Sequence, residues 1–225
     1  LTNLRLNQFS AVIFDMDGLL VDSEIVWHDA EKDFFAARGI AYTDDARALG
    51  VGLRIDEFLS VLGAHYGLTE PLDLMVADIN ARMIDIIPRR VEPKEGANDL
   101  IAWLVAHNIP MAVASNSSQA IIETTIRAQG WHEVLRVRCT GDDEAHGKPA
   151  PDVYLTAARK LGVEAAASLG LEDSPRGAQA VAAAGMTCLA VPDLSHTNPQ
   201  AFADITPHVF TNLLDVLEWL KEELP

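Results

Sequence analysis

The apolar run Ala11-Val12-Ile13-Phe14, followed at once by Asp15-Met16-Asp17-Gly18, constrains the fold more than any other stretch. Four consecutive apolar residues suit a strand buried on both faces, the mark of a parallel sheet covered by helices. Asp15 and Asp17 then stand at the strand's carboxyl end, where open α/β sheets place their ligand sites, and the chain turns at Gly18. An i, i+2 pair leaving a strand can aim both carboxylates at one pocket, one as nucleophile or metal ligand and the other moving protons. A calcium loop is excluded: it wants glycine at its sixth position, whereas Gly18 is the fourth residue from Asp15 and Leu19-Leu20-Val21 follows.

From 24 to 88 no strand-like run interrupts helical periodicity. Ser23 is placed to cap a helix whose apolar positions are Ile25, Val26, Ala30, Phe34 and Phe35, and which Gly39 ends. Thr43–Leu49, Arg54–Tyr66 and Pro71–Ile87 read as three more helices, stopped by Gly50, Gly67 and Pro88. Four helices between a strand and the next α/β unit predict an inserted bundle over 23–88, a second small domain beside a core made of 1–22 and 89–225. Alternation resumes with strands at Met111–Ser115, Val137–Thr140, Ser168–Glu172 and Cys188–Val191, separated by helices. The fold class expected is therefore α/β, with a Rossmann-like, doubly wound parallel sheet as the core.

A formal charge of −16 argues against a nucleic-acid surface, which would need clustered Lys and Arg, but not against a small phosphorylated metabolite. No apolar run approaches the ~20 residues of a membrane span, and Leu1–Gln8 is too short and polar for a signal peptide. Cys139 and Cys188 sit in strands without metal or redox spacing, so the expectation is a cytoplasmic protein with reduced thiols. Gly141–Lys148 is no P-loop, because Pro149 stands where Ser or Thr belongs, and Gly50-Val51-Gly52 lacks the third glycine of a dinucleotide fingerprint. The histidines show no ligand spacing.

Three strand ends carry polar residues that a core does not need: Asp15 and Asp17, Ser115-Asn116, and Glu172-Asp173-Ser174. Lys148, in Gly147-Lys148-Pro149-Ala150-Pro151-Asp152, lies just before a helix start. Parallel strands bring these ends to one edge, giving acids, a lysine, a hydroxyl and free backbone N–H groups. That inventory serves phosphoryl transfer: a carboxylate nucleophile, a hard divalent cation and donors to the phosphoryl oxygens. Mg²⁺ fits best, since it takes few protein carboxylates and keeps water and substrate phosphate in its shell.

In this order the motifs Asp15-Met16-Asp17-Gly18, Ser115, Lys148 and Glu172-Asp173 resemble those of the haloacid dehalogenase superfamily, in the branch with a helical cap after the first strand. The stretches DMDGLLVDSE, GLRID, GKPAPD and LEDS are most similar to β-phosphoglucomutase-like members and sugar-phosphate phosphatases. The resemblance implies that Asp15 attacks phosphorus to form an aspartyl phosphate, while Asp17 protonates the leaving alcohol and activates water. It implies that Ser115, Lys148 and the Asn116 N–H hold phosphoryl oxygens. Mg²⁺ would sit on Asp15, the Asp17 carbonyl and Asp173, with Glu172 as a further ligand. The bundle becomes a lid that excludes water and reads the leaving group.

Trp27 stands where the mutase carries a histidine, which favours hydrolysis, and Arg54 where the family's cap loop carries a substrate-binding arginine. Trp27, Arg54 and Asn116 are accordingly the substrate-binding candidates. The expected activity is hydrolysis of a small phosphate monoester by a monomer or weak homodimer. A sugar phosphomutase and a phospho-accepting regulatory protein remain the alternatives.

Overall fold

In the computed structural model, which describes residues 9–50, 53–194 and 197–223, the first strand β1 (Ala11–Phe14) is buried along its whole length. The readings made above of Leu1–Gln8, Val51, Gly52 and His196 lie outside the described residues. After β1 come the short β2 (Val21–Asp22), the helices α1 (Glu24–Ala36), α2 (Asp44–Arg47), α3 (Ile55–Tyr66) and α4 (Leu72–Arg90), and the short β3 (Glu92–Pro93). The remainder alternates: α5 (Ala97–Ala106), β4 (Met111–Ser115), α6 (Gln119–Ala128), β5 (Val137–Thr140), α7 (Asp152–Leu161), β6 (Ser168–Glu172), α8 (Pro175–Ala183), β7 (Thr187–Ala190) and α9 (Leu213–Glu223).

The five long strands form one parallel sheet in the order β5-β4-β1-β6-β7, with β1 in the middle. Because side chains alternate across a strand, Val12 and Phe14 pack into one core with α5, α6 and α9, whereas Ile13 packs into the opposite core with α7 and α8. The sheet is thus covered on both faces, and its parallel strands all end on one edge. Among the described residues no helix is long and apolar enough to cross a membrane.

The helices between β2 and β3 have a core of their own, built on Phe34, Phe35, Phe58, Leu59, Leu62 and Ile79. Val26 and Ala30 of α1 and Met83 and Ile87 of α4 join the core under the sheet instead. Val21 and Asp22 pair antiparallel with Pro93 and Glu92, a two-stranded ribbon through which the chain leaves and re-enters the α/β unit.

Several local expectations need correction. Pro88 does not stop α4, which runs on to Arg90. Proline removes one N–H bond, but burial of Ile87 and the Val91 N–H to Ile87 carbonyl bond at 3.1 Å keep the turn helical. Ile25 is 67% exposed and does not belong to the apolar face of α1. Ser23 stands at the N-cap of α1, yet its side chain makes no capping bond because its hydroxyl is engaged elsewhere.

Candidate active site

The carboxyl edge of the sheet brings four distant segments together. Asp15 extends β1, its N–H donating to the Leu171 carbonyl at 3.0 Å, so its carboxylate stands beside the end of β6. Lys148, from the loop before α7, is buried and donates from Nζ to Asp15 Oδ1 at 2.5 Å and to Glu172 Oε1 at 2.6 Å. The Tyr154 hydroxyl, on the first turn of α7, donates to the same Glu172 oxygen at 2.6 Å. Asn116 fixes the lysine loop, its Oδ1 accepting from the Lys148 N–H at 3.0 Å. At the end of β4, Ser115 Oγ accepts from the Ser117 N–H at 3.0 Å.

Asp17 is held by a different set of groups. The turn after β1 closes with Gly18 N–H donating to Val21 and with Gly18 at φ 80°, a conformation a side chain rarely adopts. A Cβ at Gly18 would also overlap the Asp173 carboxylate, so the turn rests directly on that acid. Asp17 Oδ1 accepts from Ser23 Oγ at 2.7 Å and Trp27 Nε1 at 3.1 Å, and Oδ2 accepts from Ser117 Oγ at 2.7 Å. Ser23 and Trp27 belong to the start of α1, whereas Ser117 belongs to the sheet side.

Asp15, Glu172 and Asp173 are buried, and each offers an oxygen within 4.8 Å of the others. Burial pushes the Asp15 carboxyl up to about 8, against the pull of Lys148 and with Glu172 and Asp17 adding to the rise. Burial, reinforced by the charges of Asp15 and Glu172, holds Asp173 well above the usual carboxylate range. For Lys148 burial works against the charged form, but Asp15 and Glu172 outweigh it and keep the ammonium protonated above its ordinary value. One ammonium among three buried carboxylates leaves a deficit of positive charge. An all-oxygen donor set of this kind fits a hard divalent cation.

A cavity of about 360 Å³ opens over this floor, lined below by Asp15, Asp17, Ser115, Asn116, Lys148 and Asp173 and above by the helices of the insertion. Trp27 is on its wall. Arg54 is not: its guanidinium forks onto Asp56 at 3.1 and 2.6 Å and donates to the Gly141 carbonyl at 3.1 Å, bridging the insertion to the loop after β5. Among the described residues the cations on the lining besides Lys148 are Arg47 and Arg176, neither singled out by the sequence. Ser23, Ser117, Tyr154 and Glu31 were missed likewise. Ser23 and Ser117 each lie within six residues or two positions of a motif residue, a signal that reads first as a helix cap and a turn.

Residues 12–191 match the family described as haloacid dehalogenase-like hydrolase. The chain is 30% identical over 210 residues to hexitol phosphatase B of Escherichia coli K12, covering 92% of this chain and 95% of that protein. It is 31% identical to the bifunctional riboflavin kinase/FMN phosphatase of Arabidopsis thaliana over 96% of its own length, but spans only 59% of that protein. The structure of CbbY from Rhodobacter sphaeroides in complex with phosphate superposes with a TM-score of 0.84 at 26% identity, covering 92% of this chain and 96% of that one.

Proposed function

The chain belongs to the haloacid dehalogenase-like hydrolase family, and from that premise we propose that it hydrolyses the phosphate monoester of a sugar or polyol through an aspartyl phosphate on Asp15. The observation that carries this reading is the separation of the two carboxylates: Asp15 is paired with Lys148 on the floor, while Asp17 is held apart by Ser23, Trp27 and Ser117. Two acids in different surroundings suit different tasks.

In the first half-reaction an Asp15 oxygen bonds to phosphorus as the bond to the leaving oxygen breaks, and Asp17 gives that oxygen its proton. In the second, Asp17 takes a proton from water, the water oxygen bonds to phosphorus, and the bond to Asp15 breaks. Inorganic phosphate, an alcohol and the starting carboxylates result. Ser115, Lys148 and the Asn116 N–H hold the phosphoryl oxygens throughout. We assign Asp15, the Asp17 carbonyl and Asp173 as ligands of Mg²⁺, which when bound supplies the positive charge that Lys148 alone does not. Glu172, committed to Lys148 and Tyr154, positions the lysine as well as standing next to the cation.

We assign residues 23–88 as a four-helix cap and the ribbon β2–β3 as its hinge, with Arg54 fastening the cap to Gly141. Trp27 in place of the mutase histidine puts an indole that donates to Asp17 where that imidazole would stand, while His28 is turned ~100° around the helix and faces Asp44, which favours hydrolysis. The leaving group is drawn from the sugar and polyol phosphates by the likeness to hexitol phosphatase B. A screen of phosphate esters with Mg²⁺, reading released phosphate, tests the assignment. Release from sugar or polyol phosphates supports it, and no release from any ester rejects it.

A further inference from the structure

Glu24, Trp27 and Glu31 follow one another at i, i+3 and i+7 on α1, so they share one helix face, and all three line the cavity. Trp27 marks the end nearest the general acid, since its indole donates to Asp17. Glu31 lies one turn further on, ~6 Å along the helix axis, over the space that a leaving group must fill. It is only 6% exposed. Its Oε2 accepts from the Tyr42 hydroxyl at 2.8 Å and from Arg47 Nε at 2.9 Å, and Arg47 Nη2 continues to Glu24 Oε2 at 2.8 Å. Among the described residues Oε1 of Glu31 takes no such bond.

A buried carboxylate is costly, and tying α2 to α1 does not require one on a cavity wall. The same groups are what a polyhydroxy compound needs: carboxylate oxygens to accept from its hydroxyls and a planar guanidinium, preset by two acids, to donate to them. Both carboxylates of this stretch of the wall, Glu24 and Glu31, are tied to the one guanidinium of Arg47, so it offers partners to hydroxyls rather than a lone cation to a second anion.

We propose that the Glu31–Arg47 pair is the specificity station of this site: it binds the hydroxyls of the leaving group and so selects polyol monophosphates over esters whose leaving group has none. The inference rests on the phosphatase reading above and narrows its substrate class. Glu31→Gln keeps the shape and one acceptor while removing the charge, and it leaves Arg47 partnered by Glu24.

The test is steady-state phosphate release from glucitol 6-phosphate and 4-nitrophenyl phosphate with Mg²⁺, for the wild type, Glu31→Gln and Arg47→Lys. In Glu31→Gln the ratio of kcat/KM for glucitol 6-phosphate to that for 4-nitrophenyl phosphate should fall ~10-fold or more, mostly through KM, because only the first has hydroxyls for the pair to bind. Arg47→Lys should lower the same ratio, and it carries the comparison if Glu31→Gln does not fold. Equal losses on glucitol and aryl phosphates in either variant would make the pair a structural staple and overturn the proposal while leaving the phosphatase reading intact. A wild type that releases phosphate from no ester would remove both.

Discussion

Trp27 Nε1 donates to Asp17 Oδ1 at 3.1 Å, and Ser23 Oγ reaches the same oxygen at 2.7 Å, so the acid proposed to move protons is held by the first turn of the inserted helices. Hydrogen bonds to a charged group are worth roughly 1.5–3 kcal/mol, or about 10- to 100-fold in rate if they orient the acid for the reaction. Trp27→Phe, which keeps the ring packing, should therefore lower kcat by about 10-fold or more. Ser23→Ala should lower it in the same direction, through the lost bond to Asp17 rather than through a helix cap, because the hydroxyl makes no capping bond. Turnover and thermal melting measured on both variants check this; unchanged kcat with a lowered melting temperature would assign both residues to packing.

Asp15 and Asp17 should separate kinetically. Asp15→Asn removes the attacking oxygen and its charge at constant volume, and it should abolish turnover while leaving circular dichroism unchanged. Asp17→Asn should slow turnover by roughly 10²- to 10⁴-fold, the usual worth of general acid–base catalysis. Rapid-quench trapping of labelled phosphate on the protein distinguishes them further: Asp17→Asn accumulates the phosphoenzyme from a substrate with a good leaving group, and Asp15→Asn accumulates none.

Metal binding is expected to depend on Asp173 more than on Glu172. The Glu172 carboxylate is bonded to Lys148 and Tyr154 and so serves to hold the lysine, and the Asp173 carboxylate lies against the Gly18 turn with an oxygen within 4.8 Å of Asp15. Isothermal titration with Mg²⁺ should show Glu172→Gln weakening binding by about 10-fold, as loss of a group that supports the ligands does, and Asp173→Asn weakening it more. Chelator should remove activity and Mg²⁺ restore it. The reverse order of the two variants would exchange the roles of these acids.

Stability without metal should depend on pH through Asp15. Its carboxyl rises from 3.8 to about 8 in the fold, so between those values the native protein binds a proton that the unfolded chain has released. Unfolding free energy therefore falls as pH rises across that window, and the stabilisation present at low pH is lost near 8. Melting curves in chelator should show a lower melting temperature at pH 8 than at pH 5.5, and added Mg²⁺ should raise it more at pH 8, where the ligands ionise at less cost. A metal-free melting temperature that climbs steadily from pH 5.5 to 8 would contradict the assignment.

The sheet and its catalytic edge were readable because each strand is short, apolar and followed directly by a polar motif. Asp15, Ser115, Lys148, Glu172 and Asp173 all meet at the edge that the parallel topology dictates. Side-chain allegiance was harder to read. Ser23 before a helix looks like a cap, and only the fold brings Asp17 back to within 2.7 Å of it. Tyr154, Glu31 and Arg47 carry no local motif, since their partners lie 11 to 23 residues away. Pro88 read as a helix stop because its lost hydrogen bond is visible in sequence and the burial of Ile87 is not. The ribbon of β2 and β3, two residues a side, is too short to leave a pattern.

The central claim is that water, not a second sugar hydroxyl, receives the phosphoryl group. Incubating β-glucose 1-phosphate with the wild-type protein and Mg²⁺, and following phosphorus by nuclear magnetic resonance, tests it most directly. Inorganic phosphate appearing without glucose 6-phosphate is the predicted result. Glucose 6-phosphate as the main product would contradict the account.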